Sequence, residues 1–319
     1  MTAFRTESEI MQYWEGNIDI PVVSICCTTY NHESYIEEAI NGFLMQETDF
    51  PFEILIRDDC STDKTASIVK FYAEKYPNLI KPVFEKENTY SKGVKPLPEL
   101  YKRAKGKYIA VCEGDDYWTD PQKLKIQKEF LDANPDFAMH THAVDIIDNT
   151  KQYSSYQPYF PMKKNICTFE DILMHHFIPT LSLFFRRQYL PNPLPPFYKH
   201  IRSGDIATEL MLAAHGKCFY DTKKMGVYRH HDGGITKMDK LDIQVQKDKA
   251  YILYVGIDIY TNFKYSSEIK RRLAYCDYTA FGQHLKNKEL GYALQELIQM
   301  MKKDFLLPIR IFQTKIRNS

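Results

Sequence analysis

The sequence predicts an α/β protein: a doubly wound, mostly parallel sheet followed by a C-terminal helical extension. Between Pro21 and Ile147, apolar β-rich runs alternate with helical stretches, the pattern of strands joined by helical crossovers. The 319 residues, 44% of them hydrophobic, suffice for one sizeable core plus an appended piece. From about Met238 onward the pattern is helical and carries no motif.

Taken in order, Val22 to Thr29 reads as a buried strand and Glu33 to Met45 as a helix. Phe52 to Arg57 is a second strand, followed by a helix from Asp63 to Lys75 behind the capping signal Ser61-Thr62-Asp63. Leu79 to Phe84 and Lys107 to Cys112 are the third and fourth strands. Pro121 starts a further helix, a favoured first-turn position, and Asp136 to Ile147 is again strand-like. Two proline-bearing stretches, Gln157 to Pro161 and Pro191 to Pro196, flank a helical segment (Phe169 to His176) and an apolar strand (Thr180 to Phe185). A helix from Asp205 to His215 stops at Gly216, and the strands Lys217 to Asp221 and Met225 to His230 follow. The chain therefore divides into an N-terminal extension (1–20), an α/β domain (21–237) and a helical region (238–319).

A net charge of +1 excludes a protein that coats nucleic acid. The cysteine count is odd, at seven, and no pair has C-x-x-C spacing. Free thiols in a reducing compartment fit this better than a disulfide framework or a zinc ribbon. Residues 1–19 lack the basic start and apolar stretch of a signal peptide. No window approaches the roughly 18 apolar residues of a membrane helix. The expected location is the cytoplasm.

Three acidic groups fall at strand ends or helix starts, and open α/β sheets bind ligands at the carboxyl ends of their strands. They are Arg57-Asp58-Asp59-Cys60-Ser61, Cys112-Glu113-Gly114-Asp115-Asp116-Tyr117-Trp118 and Ser203-Gly204-Asp205. Carboxylates crowded into four residues repel one another unless protons or a cation neutralise them. A hard divalent ion shared with substrate phosphates does so, and suits a diphosphate leaving group. A solvated acidic turn capping the helix that follows Thr119-Asp120-Pro121 accounts for the same residues.

The order and spacing of Val22 to Asn31, Asp58-Asp59-x-Ser-Thr-Asp and Glu113-Gly114-Asp115-Asp116-Tyr117-Trp118 resemble the family 2 glycosyltransferases of the GT-A fold. The resemblance runs from about Pro21 to Ile235. It implies an enzyme that moves a sugar from a nucleotide-sugar donor, UDP-linked, to a glycan or lipid-linked glycan in polysaccharide biosynthesis. It implies that Thr28, Tyr30, Asn31 and Glu33 line the nucleotide pocket and that Asp59 holds the base edge. Glu113, Asp115 and Asp116 stand for the acidic motif that carries Mg2+ or Mn2+ and the pyrophosphate. Asp205 takes the position of the general base of an inverting displacement; capping of its own helix is the alternative and is compatible with it.

Val227-Tyr228-Arg229-His230-His231-Asp232-Gly233-Gly234 resembles a turn of the same family. Arg229 is expected on phosphate oxygens and His231, ahead of His230, near the metal or pyrophosphate; a polar loop with turn glycines is the alternative. Two departures stand out. Many relatives carry Asp at the position of Glu113, and the family's Arg-Asn-x-Gly element is replaced by Asn88-Thr89-Tyr90-Ser91-Lys92-Gly93, leaving Lys92 and Lys95 as phosphate candidates. The last segment interleaves Lys302, Lys303, Arg310, Lys315 and Arg317 with Phe305, Leu306, Leu307, Ile309, Ile311 and Phe312. That composition suits peripheral contact with an anionic membrane face, or an ordinary helix interrupted at Pro308. Two other functions are weighed. A nucleotidyltransferase would carry a Gly-rich loop where Thr28-Thr29-Tyr30-Asn31-His32 stands, and a degenerate binding module would have lost the carboxylates.

Overall fold

The computed structural model describes residues 5–148, 164–231 and 242–307. The proline-bearing stretch Gln157 to Pro161, the turn residues Asp232 to Gly234 and the tail from Pro308 lie outside them. Contacts divide the chain into two compact units: Met1–Leu194 with Leu212–Gly234, and Pro195–Met211 with Ile235–Ser319.

In the first unit, β1 (Val23–Thr29), β2 (Phe52–Asp58), β3 (Ile80–Phe84) and β4 (Tyr108–Val111) pair in parallel in the order β3-β2-β1-β4. β1, β2 and β4 are buried nearly throughout, as strands covered on both faces must be, which is why they read as unbroken apolar runs. The connecting helices are α2 (Ile36–Leu44), α3 (Thr65–Lys75) and α4 (Leu97–Arg103), preceded by a short α1 (Glu7–Met11) closed by a reciprocal Thr6–Glu9 capping box.

Beyond β4 the sheet becomes mixed. α5 (Lys123–Ala133) leads into β6 (Phe137–Asp148), and β8 (Phe184–Arg186) inserts antiparallel between β4 and β6. A strand was expected from Thr180; there the chain instead makes a 3-10 turn over Thr180–Ser182, and only then enters β8. β7 (Ile166–Cys167) and α6 (Phe169–His175) precede it. The two strands expected at 217–230 are one, β9 (Lys217–His230), parallel to β6 with register shifts near His142 and Ala143. Two antiparallel steps, β4 to β8 and β8 to β6, bring β6 and hence β9 back to the direction of β4. The carboxyl ends of β1, β2, β4 and β9 thus share one edge, and everything chemical in this unit gathers there.

β5 (Tyr117–Trp118) pairs with β9 and buries Trp118, whose Nε1 donates to the Leu181 carbonyl at 2.8 Å and whose ring meets Phe43 edge-on at 4.9 Å. Gly42 on α2 lets this happen: a Cβ there would lie 2.9 Å from the Trp118 backbone nitrogen. Helix propensity favours Gly42→Ala by up to about 1 kcal/mol. Backbone on the far side cannot swing away, so overpacking of about 1–3 kcal/mol should win. A lower urea midpoint for Gly42→Ala is the expected result; a higher one would show that propensity decides.

The second unit holds most of α7 (Gly204–Ala213) together with α8 (Ile243–Tyr260), α9 (Ser266–Lys286) and α10 (Leu290–Lys303). The last three helices are tied by a buried charge network. Lys247 reaches Glu296 at 2.7 Å, and Lys303 reaches the fully buried Asp277 at 2.8 Å. Among the described residues no helix is long and apolar enough to cross a membrane.

Candidate functional site

The loops after β1 and β2 are laced to each other. Asn31 adopts a left-handed backbone (φ +53°), a conformation that Asn tolerates better than most residues. Its side-chain oxygen accepts the Thr62 N–H at 2.8 Å, while its own N–H donates to Ser61 Oγ at 2.9 Å. His32 N–H donates to Thr65 Oγ1 (2.8 Å), Glu33 N–H to Asp63 (3.0 Å), and Lys64 N–H to the Glu33 carboxylate (3.0 Å). Asp58 closes the second loop by accepting from Ser61 N–H at 3.0 Å and Ser61 Oγ at 2.5 Å. Asn31 and Glu33 therefore brace the rim, Thr28 accepts the Gly114 N–H at 2.9 Å, and Tyr30 projects outward, exposed.

Asp59 is buried and turned inward. It accepts from Thr89 N–H (3.2 Å), Thr89 Oγ1 (2.6 Å) and Tyr90 N–H (2.9 Å), and pairs with buried Arg57 at 3.1 Å. The 88–93 segment is thus clasped by Asp59, and Lys92 there, a phosphate candidate in the sequence, pairs with Glu87.

At the end of β4 the two aspartates diverge. Gly114 permits the turn: a Cβ would lie 2.7 Å from Thr29 Oγ1 and 3.0 Å from Ile36. Asp115 meets His231 Nε2 at 3.0 Å and His32 Nε2 at 3.7 Å. Burial pushes the Asp115 carboxyl up, but the two imidazoles outweigh it and hold the group below its usual range. Asp116 is buried, and its Oδ1 accepts the Arg229 N–H at 2.8 Å. Burial, reinforced by Asp115 and Glu113, pushes its carboxyl well above the usual range, and its bond to the Arg229 N–H joins the turn to β9. Arg229 is also packed inward. Its Nε donates to the Asp115 carbonyl at 2.9 Å, one Nη pairs with Glu38, and the guanidinium lies 4.7 Å from the Tyr35 ring and 5.2 Å from that of Tyr117. It holds the turn in place.

No sequence pattern points to His32, unlike its neighbours Asn31 and Glu33. Burial lowers its pKa despite Asp115, and its Nδ1 is buried without a hydrogen-bond partner. A strand-end histidine has no spacing signature; only the approach of the β4 turn to the β1 loop gives it meaning.

Among the described residues no three His, Cys, Asp or Glu side chains form a ready-made metal cage. Asp205 lies in the second unit, half-buried in the first turn of α7. The carbonyl of its neighbour Gly204 accepts from Tyr198 Oη and Thr208 Oγ1, both at 2.9 Å. One turn on, Glu209 is buried, and burial followed by the charge of Asp205 pushes its carboxyl well up.

Residues 24–190 match the family model described as Glycosyl transferase family 2, just over half of the chain. An uncharacterized protein of Mycobacterium tuberculosis is 36% identical over 220 residues, 67% of this chain and 60% of its own length. The chain therefore spans 60% of the length of the curated relatives it first matches. The putative teichuronic acid biosynthesis glycosyltransferase TuaG of Bacillus subtilis is 30% identical over 207 residues, 63% of this chain and 75% of that protein. The crystal structure of S. aureus TarS 1–349 in complex with UDP-GlcNAc superposes with a TM-score of 0.66 at 20% identity, covering 88% of this chain and 81% of that one. The fold is the GT-A fold of TarS, and by the family match and the likeness to TuaG the chain belongs to glycosyl transferase family 2.

Proposed function

We propose that the chain is an inverting, metal-dependent glycosyltransferase. It would move a sugar from a UDP-linked donor to a hydroxyl of a glycan or lipid-linked glycan in polysaccharide biosynthesis. The observation that carries this reading is the convergence, on one edge of the sheet, of the braced β1 and β2 loops with an Asp115 carboxylate flanked by His32 and His231. The TarS complex holds UDP-GlcNAc, and TuaG is named for teichuronic acid biosynthesis; both favour a nucleotide-sugar donor and a polymer product.

In this reading Asp115 and His231 would hold the ion, and the chemistry it would supply is positive charge beside the departing diphosphate. Asp116 and Arg229 fix the Asp115 backbone, and Glu113 stands at the turn's start. Thr28, Tyr30, Asn31 and Glu33 form the rim beside the nucleotide, and Asp59 shapes that rim by holding Thr89 and Tyr90. Asp205 takes the proton of the acceptor hydroxyl as its oxygen bonds to the anomeric carbon, and the bond from that carbon to the diphosphate breaks with its electron pair going to UDP.

Calorimetric titration of UDP tests the donor half. Mn2+ should raise affinity in the wild type, and Asp115→Ala and His231→Ala should each weaken the Mn2+-supported binding by roughly 10–100-fold. Equal UDP affinity in Mn2+ and in chelator would sink the metal assignment.

A further inference from the structure

α10 packs Ala293, Glu296 and Met300 into the second unit. Its other side carries Leu290, Leu294, Ile298 and Met301, exposed by 68, 58, 45 and 39%. At 3.6 residues per turn these four fall within an arc of about 80°. Phe305 and Leu306, which follow the helix end in sequence, are exposed by 66 and 49%. Contiguous apolar rows are seldom left to water without a partner.

We propose that this face of α10 docks on an anionic lipid surface. Charge complementarity selects the occupant. Lys286 and Lys288, just before the helix in sequence, and Lys302 in its last turn are exposed. Of the acidic residues nearby, Glu289 meets His284 at 2.6 Å, Glu296 is buried against Lys247 at 2.7 Å, and Asp304 accepts the Leu306 N–H at 3.2 Å. The sequence that follows, 308–319, adds Arg310, Lys315 and Arg317 and no acidic residue. An apolar row accompanied by exposed lysines matches the boundary between acyl chains and anionic headgroups. A second copy fits less well, because two-fold pairing of the row would set like charges against each other. With 14 residues, α10 is about 21 Å long, too short to span a bilayer but suited to lying in its interface.

The inference deepens the acceptor half of the proposed function, since a lipid-linked acceptor is met at such a surface. It has a test of its own. The full-length chain is sedimented with phosphatidylcholine vesicles and with vesicles containing phosphatidylglycerol, at low and high salt. Wild type should partition onto the anionic vesicles at least roughly tenfold more than onto the neutral ones, and high salt should reduce the difference. Leu294→Glu/Ile298→Glu should lose that partition by roughly tenfold or more. Both substitutions are on exposed positions, so the thermal melt and the Mn2+-supported UDP affinity should be unchanged. A wild type left in the supernatant with anionic vesicles overturns the proposal, as does a double variant that still pellets. Self-association in vesicle-free sedimentation velocity, abolished by the double variant, would assign the face to a second copy instead. The UDP titration on the same samples reports the donor reading separately, so failure of either stands apart from the other.

Discussion

Asp205→Asn is expected to keep Mn2+-supported UDP binding and to lower turnover by roughly 10²–10⁴-fold, the range of a lost general base. The amide preserves shape and the first-turn position in α7 but cannot accept the acceptor's proton. The surrounding residues sharpen the test. Glu209 lies one turn along the same face of α7, buried, and both burial and Asp205 push its carboxyl well up. Both influences favour the protonated form of Glu209. Glu209→Gln keeps the side chain's shape and should leave the rate within a few-fold of wild type. If Asp205 served only its helix, both variants would behave alike: a small drop in melting temperature and near-normal turnover. A turnover loss confined to Asp205→Asn, with the UDP affinity of wild type, separates a base from a cap.

The parallel half of the fold is legible because buried strands and amphipathic helices have different periods, although α4, between β3 and β4, does not stand out in the sequence. The acidic turn is legible for a related reason: three carboxylates within four residues have no use in a core. What sequence could not convey is direction and partnership. β8 reads as an apolar strand whether it runs with β4 or against it. Asp59 reads as an open carboxylate until Thr89, thirty residues on, is found to close over it. Arg229 reads as a phosphate clamp, and nothing in the sequence shows that Glu38 and the Asp115 carbonyl also hold it. His32 carries no pattern at all. Each of these depends on which side chain arrives across the sheet edge, and no period or spacing records that.

Lys123→Met should change the pH dependence of stability enough for the two proteins to exchange rank. Lys123 lies on α5, fully buried, and among the described residues no carboxylate is paired with it. Its Nζ donates to Gln127 Oε1 at 2.7 Å and sits 3.9 Å from the Trp118 ring. The Gln127 amide is held in turn by the carbonyls of His140 and Ser182, both at 3.1 Å. Burial pulls the lysine from 10.5 down to about 7. The titratable groups facing it stay silent over the same range. Burial pushes the Cys112 thiol well up, draws His140 down to about 3 and holds His142 well below its usual value. Between about 7 and 10.5 the unfolded chain therefore binds a proton that the folded chain does not, and wild-type stability rises with pH by about 1.4 kcal/mol per unit. As pH falls through about 7 that gain is gone, and near neutrality the buried amine costs about 4–5 kcal/mol relative to strong alkali. Methionine removes this cost but leaves Gln127 Oε1 without its donor, a fixed penalty of about 1–3 kcal/mol. The variant should therefore be more stable than wild type by about 1–4 kcal/mol near pH 7 and less stable near pH 10. Urea midpoints at a series of pH values check this directly. Two parallel curves would mean that the amine keeps its proton in the folded core, with the face of Trp118 and the amide of Gln127 sufficient to hold a cation there.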